Sequence, residues 1–322
     1  MDRASGERAD PSTLARLRQD SATRYLLFAQ RSAPVILEGQ ARGLVLLDAS
    51  ALPVLAGTTV LHEILLGRVD AEPGPGHETL VSGAGLPLGT PVVALVLAEP
   101  LEAGHQLLPE GTSWRGYRET GAWLPAVDAE LFIETQAIAG WHESHGFCPR
   151  CGTPTSVEQS GWVRRCPKEQ LEIFPRMDPA IIVSVVGPDG RILLGGGGPA
   201  DSKGHSVLAG FVDPGESLEQ AVMRELMEEV SVRVEAVQYL GSQAWPFPAS
   251  LMLGFTARTS DGEARPDGVE VTHARWFAQD ELQNAVLSGE IVIPGRLSIA
   301  RDLIEHWYGG PVREPGDPLP ES

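Results

Sequence analysis

Apolar and polar positions change rhythm along the chain. From residue 1 to about 125, short apolar runs such as "GLVLLDAS" (43–50) and "TPVVALVLAEP" (90–100) alternate with Gly/Pro-rich breaks such as "AEPGPGHETL" (71–80), the pattern of strands joined by turns. Residues 126–146, "AVDAELFIETQAIAGWHESHG", carry apolar side chains at helical spacing without proline and predict a connecting helix. Residues 177–198, "MDPAIIVSVVGPDGRILLGGGG", hold two β-rich runs around a "PDG" turn and predict a hairpin that opens a second domain.

A second helix follows. Ser217 can cap its first turn, with Gln220 three residues on as the other half of a capping box. At roughly 100° per residue, Leu218, Ala221, Val222 and Leu226 fall within an arc of about 140°, which should face the core. Glu225 and Glu229, one turn apart, fall inside that arc, about 20° either side of Leu218. Two like charges on a partly buried face repel and lose hydration, so they need a cation or a raised pKa. Carboxylates without histidine favour hard, oxygen-seeking Mg²⁺ or Mn²⁺ over zinc. The alternative is a solvated acidic helix with Arg224 as its partner.

Composition narrows the picture. A chain of 322 residues is long for one compact domain and suits two, with room for a small module between them. The 25 basic and 43 acidic residues give a formal charge of -18, which disfavours generic nucleic-acid binding. The N-terminus has no apolar signal region and no run is long enough for a spanning helix, so the expectation is neither export nor membrane insertion. Three cysteines, Cys148, Cys151 and Cys166, lie in one short segment, a poor disulfide framework and a better fit to a reducing, cytoplasmic setting.

Gly210, five residues, Glu216, seven residues and then "RELMEEVSV" (224–232) resembles the Nudix box, G-x5-E-x7-R-E-U-x-E-E-x-G-U. Ser231 stands where that pattern has glycine, which predicts backbone strain of about 1 kcal/mol or a different helix exit. Residues 242–250, "SQAWPFPAS", resemble the S-Q-P-W-P-F-P-x-S array of the NADH pyrophosphatase branch, with Ala244 in place of the first proline. As residues alone they suggest either a packed turn or a stiff extended segment on which a flat ring can stack. "FPRMDPAII" (174–182) and "VEVTHARWF" (269–277) extend the resemblance, whereas the first domain shows it chiefly at "LGRVD" (66–70).

The resemblance implies an α/β fold, a Nudix α/β/α sandwich, preceded by a small ribbon module and a strand-rich N-terminal domain. The expected boundaries are 1–140 for that domain, 141–175 for the ribbon, 176–310 for the hydrolase domain and 311–322 for a flexible tail. It also implies Mg²⁺- or Mn²⁺-dependent hydrolysis of the pyrophosphate of NADH or NAD⁺ to AMP and NMN(H), removal of NAD caps from RNA 5′ ends, and a homodimer. Metal would be held by Glu225, Glu229, Glu270 and Glu216, with Glu229 or Glu228 at the attacking water and Arg224 orienting the glutamates. Substrate would meet Phe174, Ala209, Phe211, Gln243, Trp245, Pro246, Phe247, Pro248, Ser250 and Ala300. Two alternatives are a diphosphatase preferring ADP-ribose or another dinucleotide, and a non-catalytic nucleotide-binding module; the clustered carboxylates argue against the second.

"CPRC" (148–151), fourteen residues and "CPKE" (166–169) resemble a C-x2-C-x14-C-x2-C zinc ribbon in which Glu169 replaces the fourth cysteine. A structural zinc wants four ligands. Either Glu169, His142 or His145 completes the set, or the hairpin holds without zinc by packing Phe147, Trp162 and Phe174.

Overall fold

A computed structural model describes residues 1–37, 42–70, 85–199 and 202–317. The Gly/Pro-rich break at 71–80 and the last five positions of the tail lie outside these described residues. Contacts divide the chain into two compact units, Met1–Arg176 and Met177–Ser322. Among the described residues, no helix is long and apolar enough to cross a membrane.

Unit 1 is strand-rich, with β1 (Arg24–Phe28), β2 (Ser32–Ile36), β3 (Gly43–Leu44), β4 (Leu46–Asp48), β5 (Val60–Arg68), β6 (Pro91–Leu97) and β7 (Ser113–Gly116). They form one sheet ordered β4-β1-β6-β5 and another ordered β3-β2-β7. Every residue of the interior strand β6 is buried, which explains its unbroken apolar run. Its helices are α1 (Ser5–Arg8), α2 (Thr13–Leu17), α3 (Tyr117–Thr120) and α4 (Ala126–Ser144), the last being the helix predicted over 126–146. The ribbon follows as a small sheet of β8 (Ser156–Glu158), β9 (Val163–Arg165) and β10 (Glu172–Ile173), ordered β10-β9-β8. Trp162 ties it to β5, its indole N–H donating to the Leu65 carbonyl at 2.8 Å.

Unit 2 is a mixed sheet with helices on both faces. Its strands are β11 (Asp178–Val186), β12 (Ile192–Gly196), β13 (Leu208–Phe211), β14 (Glu235–Trp245), β15 (Ser250–Arg258) and β16 (His273–Phe277). Their order is β14-β15-β11-β12-β16, with β13 also paired to β11. The hairpin expected over 177–198 is β11 and β12, antiparallel across the Pro188–Gly190 turn.

Strand periodicity sorts the core of unit 2 into two layers. Ile181, Val183 and Val185 of β11 join Ala221, Val222, Leu226 and Val230 of α5 (Leu218–Val230). Ile182, pointing the other way, joins Leu282 of α6 (Gln279–Leu287) and Leu303 and Ile304 of α7 (Ile299–Tyr308). Each fully buried Val or Leu of α5 contributes about 1.5–3 kcal/mol, enough to hold the helix down against an unfavourable carboxylate on the same face.

The tail expected to fray from 311 is tied down as far as Asp317. Val312 is fully buried, and Arg301, itself buried, donates to its carbonyl and reaches Glu314 Oε1 at 2.8 Å. A buried guanidinium needs acceptors, and this segment provides them.

Candidate active site

Helix α5 starts as its sequence dictates. Gln220 N–H donates to Ser217 Oγ at 3.3 Å and Ser217 N–H donates to Gln220 Oε1 at 2.8 Å, closing the capping box. The helix ends at Ser231 with φ 56° and ψ 34°, the left-handed conformation that favours glycine.

Arg224 is the hub of the acidic face. Its Nη1 donates to Glu225 Oε1 at 2.9 Å and to Glu228 Oε2 at 3.1 Å, and its Nη2 to the Phe211 carbonyl at 2.9 Å. Its Nε and Nη2 grip both oxygens of Glu216 at 3.1 and 2.5 Å, and Glu216 Oε1 also accepts from Asp213 N–H at 2.7 Å. These contacts hold the Glu216 carboxyl below its usual range and the guanidinium well above its own. Glu216, expected among the metal carboxylates, therefore has both oxygens committed to protein donors. Its place is that of Arg224's partner, because the loop before the helix brings it back over the guanidinium.

Glu229 is different. It is 7% exposed, and its Oε2 has no hydrogen-bond partner. Burial first, then Glu225, Glu270, Asp267 and Glu228, push its pKa up to about 7. Glu225 packs against β13 at Gly210, where no side chain leaves it room. Glu270 sits on the loop before β16, and its N–H donates to Asp267 Oδ2 at 3.3 Å. Asp267 was not among the sequence candidates; an isolated "DG" signals only a turn. Its Oδ1 also accepts from Val269 N–H at 3.1 Å and Val271 N–H at 2.9 Å, and its own N–H donates to the Glu229 carbonyl at 2.9 Å.

Of the "SQAWPFPAS" segment, Ser242–Trp245 are the end of β14, residues 246–249 form a hairpin turn and Ser250 opens β15, so the packed-turn alternative holds for its proline-rich part. Trp245 at the end of β14 pairs with Ser250 at the start of β15, so the chain must reverse between them. The Trp245 and Phe247 rings lie 5.0 Å apart at 57° within that turn, with Pro246 buried and Pro248 exposed. Gln243 braces the start of α7: its Nε2 donates to the Leu297 carbonyl at 2.7 Å and its Oε1 accepts from Ile299 N–H at 2.9 Å. The amide expected to meet substrate thus has both ends on backbone. Ala300 is buried, Ala209 is half-buried on β13 and Phe211 is exposed at the end of that strand. Phe174, exposed, belongs to unit 1.

In the ribbon, the ligand atoms of Cys148, Cys151 and Cys166 all lie within 4.8 Å of one another, the one such group among the described residues. Cys151 Sγ is 3.6 Å from Cys166 Sγ, and hydrogen bonding to Thr153 brings the Cys151 thiol down to about 7. His142 does not join them. Arg164 Nη1 lies 2.9 Å from its Nδ1 and can only donate, so Nε2 carries the proton and donates to the Gly161 carbonyl at 2.9 Å. His145 turns Nδ1 back towards Ser144 Oγ at 2.9 Å. Glu169 donates its N–H to Cys166 Sγ at 3.3 Å, while its side chain is exposed and outside the group.

Residues 175–293 match the NUDIX domain family, and residues 143–174 match the NADH pyrophosphatase zinc ribbon domain. The chain is 37% identical over 232 residues to the NAD-capped RNA hydrolase NudC of Pseudomonas syringae pv. tomato, covering 72% of this chain and 78% of that protein. It is 35% identical over 303 residues to the NAD-capped RNA hydrolase NudC of Mycobacterium tuberculosis, covering 91% of this chain and 85% of that one. The NAD-capped RNA hydrolase NUDT12 of Homo sapiens is 36% identical over 196 residues, which cover 57% of this chain and 42% of that protein, so the chain spans less than half of that relative's length.

Proposed function

We infer the reaction from one premise: the chain belongs to the Nudix hydrolase family, in the branch that carries the NADH pyrophosphatase zinc ribbon. Membership in that family implies a divalent metal, and the ribbon with its three thiols suggests zinc. The reading is that the protein hydrolyses the pyrophosphate of NADH or NAD⁺ to AMP and NMN(H), and removes NAD caps from RNA 5′ ends. The names borne by its relatives support that substrate class.

The observation that carries the reading is Glu229, a buried carboxylate with an unpartnered oxygen among other acidic groups. Such a group calls for a cation, and an all-oxygen donor set suits Mg²⁺ or Mn²⁺. Glu225, Glu229 and Glu270 would hold it by drawing together, since among the described residues only the three thiols of the ribbon already lie within 4.8 Å of one another. When bound, the metal offsets the charge of the diphosphate and acidifies the attacking water. Glu229 or Glu228 would be the group that accepts a proton from the attacking water. Arg224 fixes Glu225 and Glu228 through one nitrogen and is fixed in turn by Glu216. Within unit 2, Trp245, Phe247 and Phe211 would offer rings to the flat bases, and Pro246, Pro248, Ser250, Ala209 and Ala300 would be further substrate contacts. In the ribbon Cys148, Cys151 and Cys166 would hold zinc. A homodimer working in the cytoplasm completes the reading.

Ala244, in place of the branch's first proline, favours a second reading in which ADP-ribose or another dinucleotide is preferred. A substrate panel with excess Mg²⁺ or Mn²⁺ decides between them. NADH and NAD-capped RNA are expected to lead; NADH trailing ADP-ribose by orders of magnitude would sink the first reading.

A further inference from the structure

The loop that carries Glu270 has to bring one carboxylate up to a helix already crowded with others. Left to charge alone, Glu270 and Glu229 would separate. The loop is held instead by backbone bonds to the end of α5: Arg265 N–H donates to the Val230 carbonyl at 2.7 Å, and Asp267 N–H to the Glu229 carbonyl at 2.9 Å. Beyond Glu270, Val271 is buried in the layer beneath α5. Between these anchors the chain reverses at Gly268, whose φ of 76° lies in the left-handed region.

What sets the shape of that reversal is one side chain. Asp267 accepts three consecutive backbone N–H groups, from Val269 at 3.1 Å, Glu270 at 3.3 Å and Val271 at 2.9 Å. Asp267 thus touches Glu229 through its own amide and Glu270 through its carboxylate. On the far side, a Cβ on Gly197 would lie 2.4 Å from the Glu270 carbonyl oxygen, so the glycine run allows the loop to close.

We propose that Asp267 is the positioning residue of the metal centre, setting Glu270 at a fixed reach from Glu229. It acts through the backbone of its neighbours and needs no contact with substrate. The proposal rests on the function above to the extent that Glu229 and Glu270 hold the metal.

The test titrates the full-length protein with Mn²⁺ alone, reading free Mn²⁺ by electron paramagnetic resonance, and then measures kcat and KM for NADH. Supporting groups of this kind are worth 10- to 100-fold in metal affinity. Asp267→Ala, which removes all three acceptor bonds, is therefore expected to weaken Mn²⁺ binding by about 10- to 100-fold and to lower kcat more than it changes KM. Asp267→Asn keeps one acceptor oxygen, enough for Val269 and Val271 but not for Glu270 as well, and should show a smaller loss. Asp267→Ala with wild-type Mn²⁺ affinity overturns the proposal. Should that variant fail to fold, Asp267→Asn decides: weakened Mn²⁺ binding supports the proposal and unchanged binding overturns it. A wild type that binds no Mn²⁺ defeats the functional reading itself, whereas wild-type binding with both variants unchanged defeats only the role of Asp267.

Discussion

The carboxylate of Glu225 occupies the space that a side chain at Gly210 would need: a Cβ built on Gly210 would lie 1.9 Å from the Glu225 carboxyl carbon. The glycine that opens the motif is required for close approach between β13 and α5, independent of any special φ. Gly210→Ala is therefore expected to push Glu225 out of its hydrogen bond with Arg224. Mn²⁺ affinity should fall by about 10-fold or more, with a smaller change in melting temperature, because a flexible carboxylate and not backbone has to move. A variant with normal Mn²⁺ affinity would show that Glu225 has another place to go.

Ser231 makes the converse point about glycine. It ends α5 at φ 56°, and its N–H still closes on the Met227 carbonyl at 3.2 Å, so the helix exit is kept at the expense of strain. Ser231→Gly should raise stability by about 0.5–1 kcal/mol, the usual penalty for a side chain in this conformation less the extra freedom glycine has when unfolded. Urea denaturation measures it. A loss of stability would mean that the Ser231 side chain contributes more than its backbone costs.

The helix was legible in the sequence because its determinants are local. Ser217 and Gln220 cap it, and the wheel that buries Ala221, Val222 and Leu226 also buries Glu229. Glu216 was legible as a member of the motif but not as Arg224's partner, since which oxygens a guanidinium takes depends on a loop returning over the helix. Asp267 was not legible at all: its neighbours in space are the amides of its own turn, and nothing in "PDGVE" distinguishes that turn from any other. As residues alone "SQAWPFPAS" left a packed turn and a stiff extended segment open, and the pairing of Trp245 with Ser250 selects the turn, with reversal within four intervening residues, 246–249. Helical spacing could place His142 near the cysteines, but not reveal that Gly161 and Arg164 occupy both its ring nitrogens.

The ribbon offers three thiols, and neither histidine completes them. Purified protein is expected to carry about one zinc per chain, held less tightly than by four cysteines, because the three thiols have no fourth thiolate and the Glu169 side chain lies outside their group. Glu169→Cys should slow zinc loss to a chelator by about 10-fold or more, following the preference of zinc for a closed thiolate set. His142→Ala should leave zinc content unchanged. Elemental analysis with timed chelator release gives all three results, and an absence of zinc in freshly purified protein would favour a hairpin held by packing alone.

Glu229 links stability to function with a definite sign. Its folded-state pKa is about 7 against 4.5 for the ordinary side chain, so the folded protein binds the proton more tightly than the unfolded chain. In metal-free protein the stability tied to this group is therefore complete below about pH 4.5 and is lost as pH rises through about 7. At pH 8 the buried, charged carboxylate costs about 1–3 kcal/mol, which Glu229→Gln removes. With chelator present at pH 8 the variant should melt above wild type, and the difference should vanish near pH 4.5. Hydrolysis of NADH should fall by about 100-fold or more if Glu229 takes the proton from water. Added Mn²⁺ should raise the melting temperature of wild type far more than that of the variant, since only the charged carboxylate gains from the cation. Equal melting temperatures at pH 8 in chelator would mean that Glu229 reaches water in solution. Its burial would then no longer be a reason to assign it to a metal.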